Sequence, residues 1–251
     1  MRRNFNYFFA NLKFRLYNLK NALFNNVVRK QNNNYKCIPI IIISYNQLCH
    51  LRNLIDYLRN SGYRNIVVID NNSSYKPLLD YLNKLNKDII VHRLNKNYGY
   101  RVFWNRIDIF SKYTKGFYAI TDPDILPTKD CPEDFLKHFK KILKHNSQID
   151  KVGFSLELNN IPNTNPLKDE ILNWENKYWQ KTDKKGNFLA EIDTTFALYR
   201  PGRPFVSYKG IRTKYPYSAH HKGWEIDANN LTEEQKYYLE TANSSSSWNK
   251  K

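Results

Sequence analysis

From residue 38 onward, short unbroken apolar runs alternate with amphipathic stretches, and polar clusters follow the runs. Ile38-Pro39-Ile40-Ile41-Ile42-Ile43, Ile66-Val67-Val68-Ile69, Ile89-Ile90-Val91 and Phe117-Tyr118-Ala119-Ile120 have the continuous hydrophobicity of strands buried on both faces. Between them, Leu48, Leu51, Leu54, Ile55 and Leu58 form a helical stripe ending near Gly62, and residues 78–85 and 102–110 are expected to be helical. A βαβαβ order predicts a parallel sheet covered by helices, with ligands bound beyond the carboxyl ends of the strands. The polar clusters stand at those ends: Ser44-Tyr45-Asn46, the turn-forming Asp70-Asn71-Asn72-Ser73-Ser74, and Asp122 with Asp124.

Asp122 and Asp124 are two residues apart at the end of a strand. In extended backbone, residues i and i+2 point the same way, so both carboxylates can face one cation. Pro123 between them restricts the backbone. Hard oxygen ligands favour Mg²⁺ or Mn²⁺, ions that usually share their shell with substrate phosphates. A lone pair of this spacing is more often a solvated turn; its place at a strand end in this topology is what points to a metal.

The first segment, residues 1–34, has a different character. Phe5, Phe8, Leu12, Leu16, Leu19, Leu23 and Val27 recur at steps of three and four, with Arg2, Arg3, Lys13, Arg15, Lys20, Arg29 and Lys30 among them. No acidic residue precedes Asp56. A basic amphipathic helix of this kind suits an anionic membrane surface through residues 1–30; the plainer alternative is a helix packed on the protein body. Charges interrupt every candidate signal-peptide core, and no serine precedes Ser44, unlike a mitochondrial presequence.

A length of 251 residues allows one sizeable α/β domain with appendages. The formal charge of +17 predicts attraction to polyanions without choosing among nucleic acid, anionic lipid and phosphate-bearing substrates. Cys37, Cys49 and Cys131 are odd in number and lack CxxC spacing, so they read as reduced thiols rather than a disulfide frame or a zinc site. No apolar run approaches the roughly 20 residues needed to span a bilayer.

Taken in order, Ser44-Tyr45-Asn46 after a strand, Val68-Ile69-Asp70-Asn71-Asn72-Ser73, Asn97-x-Gly99 and Thr121-Asp122-Pro123-Asp124 resemble the nucleotide-sugar half of GT-A fold, family 2-like glycosyltransferases. Ile192 to Arg200 (IDTTFALYR) and Pro216 to His221 (PYSAHH) resemble a bacterial subgroup of that family. The resemblance covers residues 37–225 and implies a Rossmann-like, mainly parallel sheet flanked by helices. It implies a donor half over residues 35–126 and an acceptor half over 127–230, followed by a C-terminal helix and tail at 231–251. The implied activity is transfer of a sugar from a nucleoside-diphosphate sugar to a glycan or lipid-linked acceptor, with inversion, at the cytoplasmic face of a membrane in surface polysaccharide synthesis.

Roles follow residue by residue. Asp70 would receive the nucleoside, with Tyr45 and Asn46 lining the base pocket and Asn97 nearby. Arg101 would reach the diphosphate, where a planar guanidinium suits phosphate oxygens. Asp122 would serve both donor and metal, Asp124 the metal, and His221 would be a third ligand. His220 stands where the subgroup has arginine, and Lys222-Gly223-Trp224 where it has LPW. Asp193 is the candidate base that deprotonates the acceptor hydroxyl, with Glu191 its rival. For each there is an alternative: a turn cap for Asp70, a solvated Arg101, a structural or acceptor-contacting His221, and an Asp193 that caps a strand or binds Arg200. Trp174, Glu175, Tyr178 and Trp179 suit a sugar acceptor, although an aromatic helix stripe is more often core.

Two other classes compete. A sugar-phosphate nucleotidyltransferase would carry a glycine-rich loop after the first strand, whereas Ser44-Tyr45-Asn46-Gln47 has no glycine. A non-catalytic nucleic-acid-binding protein would account for the charge, but no nucleic-acid motif is present and no nucleic-acid partner is expected.

Overall fold

The computed structural model describes residues 16, 20, 23–85 and 89–242. The expected helix over residues 1–34 falls largely outside this range, as do Asn86 to Asp88 and the Ser244 to Ser247 tail.

Among the described residues, strands β1 (Ile40–Ser44), β2 (Ile66–Asp70), β3 (Ile89–Arg93), β4 (Tyr118–Thr121), β5 (Ile125–Pro127), β6 (Lys151–Glu157), β7 (Ala197–Tyr199) and β8 (Gly210–His221) form one sheet. Its order is β3-β2-β1-β4-β7-β6-β8-β5. The first four strands of that order are mutually parallel, as expected from the alternation. β7 runs antiparallel to both β4 and β6, while β8 is parallel to β6 and carries β5 antiparallel at the edge.

The continuous apolar runs are explained by burial on both faces. Ile40 and Ile42 of β1 join one core with Ile66 and Val68 of β2, while Ile41 and Ile43 join a second with Val67 and Ile69. On the first face lie α2 (Leu48–Asn60), α3 (Lys76–Lys84) and α6 (Phe135–His145), contributing Leu51, Leu54, Leu58, Leu78, Phe139 and Leu143. On the second lie α4 (Val102–Asn105) and α5 (Ile107–Tyr113), with Val102, Phe103, Trp104 and Ile109. The single helix expected over 102–110 is thus two, broken at Arg106, whose φ of −94° and ψ of 87° are not helical.

Two further helices frame the site: α7 (Lys168–Asn176) and the C-terminal α8 (Glu233–Thr241), which opens on a capping box between Thr232 and Gln235. At the other end of the molecule, α1 (Asn26–Asn33) is capped by Asn25 and docks through Gln31. The Gln31 side-chain amide donates to the Phe117 carbonyl and accepts from the Phe117 N–H, both at 2.8 Å. This places α1 at the amino end of β4, opposite the Asp122–Asp124 turn.

Candidate active site

A cleft of about 680 Å³ opens at the carboxyl ends of β1, β2 and β4. It is lined by Tyr45, Asn97, Arg101, Asp122, Asp124, Asp193 and His221, which the sequence places more than 170 residues apart at the extremes (221 − 45 = 176). Asn46 and Asp70 are not among its lining residues.

Asn46 is fully buried with a left-handed φ of 50°. Its side-chain oxygen accepts from the N–H groups of Ser74 (2.8 Å) and Tyr75 (3.0 Å), and its amide donates to the Thr241 hydroxyl (2.9 Å). It braces the loop that presents Tyr45. Asp70 accepts from the Ser73 N–H at 3.0 Å and caps the turn after β2. The neighbouring Asn71, which sequence reasoning passed over, reaches the cleft instead. Its amide donates to the Asn97 side-chain oxygen (2.8 Å), and its oxygen accepts from the Tyr98 N–H (2.9 Å). Gly99, at φ 74°, completes that loop in a conformation glycine adopts without strain.

Arg101 lies between two aromatic rings, 5.1 Å from the centroid of Tyr100 and 4.9 Å from that of Phe205. No ion pair holds it among the described residues, so its charge is presented to the cleft by cation–π contacts alone.

At the end of β4, Asp122 accepts a hydrogen bond of 2.5 Å from the Thr194 hydroxyl. Burial pushes its carboxyl well above the usual range, with the charges of Asp124 and Asp193 adding to the effect and Thr194 opposing it. Asp124 is buried; its Oδ1 has no hydrogen-bond partner, and its Oδ2 lies 3.4 Å from His221 Nδ1, which is also without one. The His221 ring stacks on Trp224, with centroids 4.2 Å apart and planes within 5°. Gly223 is what lets this loop close, because a Cβ there would come within 2.5 Å of Asp124 Oδ2. The departure from LPW therefore still brings the histidine to the aspartate. His220 points elsewhere, with Nδ1 3.1 Å from the Asn160 amide.

Buried carboxylates that repel each other, with orphaned acceptors on Asp124 and His221, fit a hard divalent cation. Among the described residues, no group of three His, Cys, Asp or Glu side chains could hold a metal by itself. Substrate oxygens would have to complete the shell.

On the opposite wall, Asp193 and Glu191 are exposed, and the peptide carbonyls at 191, 192 and 193 are each taken by a side chain from below. Arg212 Nε donates to the Glu191 carbonyl (2.9 Å), Lys151 Nζ to that of Ile192, and the Tyr199 hydroxyl to that of Asp193 (3.3 Å). Burial depresses the Lys151 ammonium to a pKa of about 7, with Asp193 pulling the other way. Arg212 is itself paired with Glu175 at 2.6 Å, both side chains buried, and lies 4.1 Å from the Tyr178 ring centroid. Glu175, Trp174 and Tyr178 line the cleft, whereas Trp179 packs on Phe188 at 4.7 Å. Asp193 Oδ1 accepts from the Thr195 N–H at 3.1 Å, and the Arg200 guanidinium donates to the carbonyls of Leu143, Asn146 and Ile149 at the end of α6 and beyond.

The sequence pattern of glycosyl transferase family 2 matches residues 40–200. No curated protein matches the chain. Among solved structures, a mannosyltransferase from Pyrobaculum calidifontis in complex with GDP-mannose and Mn²⁺ is similar at 14% identity and a TM-score of 0.48, over 74% of this chain and 56% of that one. S. aureus TarS 1–349 is similar at 16% identity and a TM-score of 0.39, over 65% and 47%. A 4-diphosphocytidyl-2C-methyl-D-erythritol synthase from Anaerococcus prevotii is similar at 9% identity and a TM-score of 0.39, over 81% and 99%. The chain thus spans about half the length of the first two. With the family pattern running from the first residue of β1 to the residue after β7, the chain belongs to glycosyl transferase family 2 and has a GT-A fold.

Proposed function

We propose that the chain is a metal-dependent glycosyltransferase that moves a sugar from a nucleoside-diphosphate sugar to a glycan or lipid-linked acceptor with inversion. The observation that carries this reading is the convergence on one cleft of a phosphate-ready arginine, an unsatisfied aspartate–histidine pair and an exposed carboxylate on the facing wall.

In this reading Tyr45, Asn71 and Asn97 receive the nucleoside and Arg101 the diphosphate, within a donor half over residues 35–126. Asp124 and His221, with Asp122 beside them, would hold Mn²⁺ or Mg²⁺, which when bound supplies positive charge against the departing nucleoside diphosphate. Asp193 takes the proton of the acceptor hydroxyl as that oxygen attacks the anomeric carbon, opposite the leaving oxygen. Its loop is already immobilised from below, so little reorganisation is left to the reaction. Trp174 and Tyr178 offer faces to the acceptor ring, within an acceptor half over residues 127–230.

The setting we propose is the cytoplasmic face of a membrane, in surface polysaccharide synthesis. No helix among the described residues is long and apolar enough to cross a bilayer. Leu16, Leu23 and Phe24 are nonetheless 56%, 55% and 78% exposed, a use of apolar side chains that an anionic lipid surface would explain.

The direct test is a thermal-shift panel of nucleotide sugars, each with Mn²⁺ and with chelator, on the native chain and on Asp124→Asn. One donor should raise Tm only with metal, and the variant should keep its fold while losing that rise and all transfer. A panel with no metal-dependent stabilisation, or an active Asp124→Asn, would reject the proposal.

A further inference from the structure

The family match ends at residue 200, yet α8, which starts at Glu233, lies across the loops that follow β1 and β2. The Tyr45 hydroxyl donates to the Thr241 carbonyl at 3.1 Å, and the Asn46 amide reaches the Thr241 hydroxyl. The Tyr237 hydroxyl donates to Ser74 Oγ at 3.0 Å, and its ring lies tilted 5.2 Å from that of Tyr75. At the start of α2, the Glu234 carboxylate accepts from the Cys49 N–H at 2.9 Å. No residue of α8 is buried. A helix held chiefly by an apolar face would bury that face; this one carries several polar contacts to the loops of the site, with the Tyr237–Tyr75 ring contact beside them.

Two of its consequences reach the cleft. The hydroxyl of Tyr45 is tethered, so the ring stands in one orientation instead of sampling several. Tyr238 and Ala242 line the same cleft as Tyr45 and Gln47. We infer that α8 belongs to the donor site: it sets Tyr45 as a platform and supplies, through Tyr238 and Ala242, a wall against the nucleoside of a nucleoside diphosphate. This rests on the donor reading above. It adds that nucleoside affinity depends on an element outside the family-matched region, while the diphosphate would be held by Arg101 and by the metal on the aspartates, which lie on other elements. A preformed aromatic platform and wall lower the ordering cost of binding a flat base.

Calorimetric titration of UDP, GDP, CDP, dTDP and inorganic pyrophosphate, each with Mn²⁺, separates the two halves of the ligand. The proteins compared are the full chain, Tyr238→Ala, and the milder double variant Glu234→Gln/Tyr237→Phe, which loosens α8 without removing it. The preferred nucleoside diphosphate should weaken about tenfold or more in Tyr238→Ala and several-fold in the double variant. Pyrophosphate should stay within twofold. Equal nucleoside diphosphate affinity in all three proteins overturns the inference. So does an equal loss for pyrophosphate, which would mean damage to the diphosphate site. If the full chain binds pyrophosphate and no nucleoside diphosphate more tightly, this inference alone falls; if it binds none of the five, the donor reading falls with it.

Discussion

Lys151 shows how a single residue can serve a site it never enters. Its ammonium is fully buried, donates to the Ile192 carbonyl and lies 3.2 Å from the Tyr199 hydroxyl, under the loop that carries Asp193. Burial lowers its pKa from 10.5 to about 7, so the fold favours the neutral amine. Such a group penalises the folded state fully below about pH 7. The penalty fades as pH rises from there toward 10.5, because the unfolded chain then still binds the proton that the folded chain has released. Lys151→Met removes the titration and leaves the shape similar. Its Tm relative to the native chain should therefore be most favourable near pH 6 and fall by pH 9, a swing of a few kcal/mol at about 1.4 per pKa unit. Scanning calorimetry at the two pH values reads this difference, and parallel curves would sink the argument. The same scale separates what the residue types could reveal. Asp122 and Asp124 stood out as a pair at the end of an apolar run, whereas Arg101 and Asp193 were singled out only through the family resemblance; all four line the cleft. Asn46 and Asp70 could not be told by type from cleft-lining residues, since a polar residue after a strand serves a turn and a substrate equally well; what sets them apart is their hydrogen bonds to the N–H groups of Ser73, Ser74 and Tyr75.

At the scale of elements, β1, β2 and β4 were legible as apolar runs because both their faces are covered; β3 gave the same kind of run, but it is an edge strand whose Ile90 is exposed, so the expected burial on both faces does not hold there. The later strands were not: β5 and β7 have only three residues each, and the partner of β8 shifts register between Phe154 and Ser155. Their pairing comes from distant contacts that no local pattern encodes. The IDTTFALYR stretch contains both kinds of information. Thr194 and Asp193 face the cleft, while Arg200 ties β7 to the carbonyl end of α6 through bonds of 2.5–2.7 Å. Arg200 is 2% exposed, so Arg200→Leu removes a charged donor from three carbonyls, two of which keep only a longer backbone N–H bond of 3.2 Å, and should cost about 2–3 kcal/mol. Chemical denaturation measures it; a midpoint unchanged from the native chain would show that α6 does not depend on this cap.

For the molecule as a whole, the cleft and α1 occupy opposite ends of the sheet. Removing residues 1–30 should therefore lower binding to phosphatidylserine vesicles while leaving metal-dependent donor stabilisation intact. Cosedimentation with vesicles checks the first and thermal shift the second, and unchanged sedimentation would reject the lipid anchor. Strand order has a different consequence, which concerns timing during synthesis. β5, which carries the chain out of the Asp122–Asp124 turn, is an edge strand whose sheet partner is β8, through Ile125 with His221 and Pro127 with Ala219. A nascent chain displays its paired aspartates almost a hundred residues before the segment that pins them emerges (221 − 124 = 97). Contacts of such sequence separation form late. The Asp122–Asp124 turn thus waits for the segment around His221 before its edge strand can pair, so strand order sets the earliest moment at which this corner of the cleft can assemble.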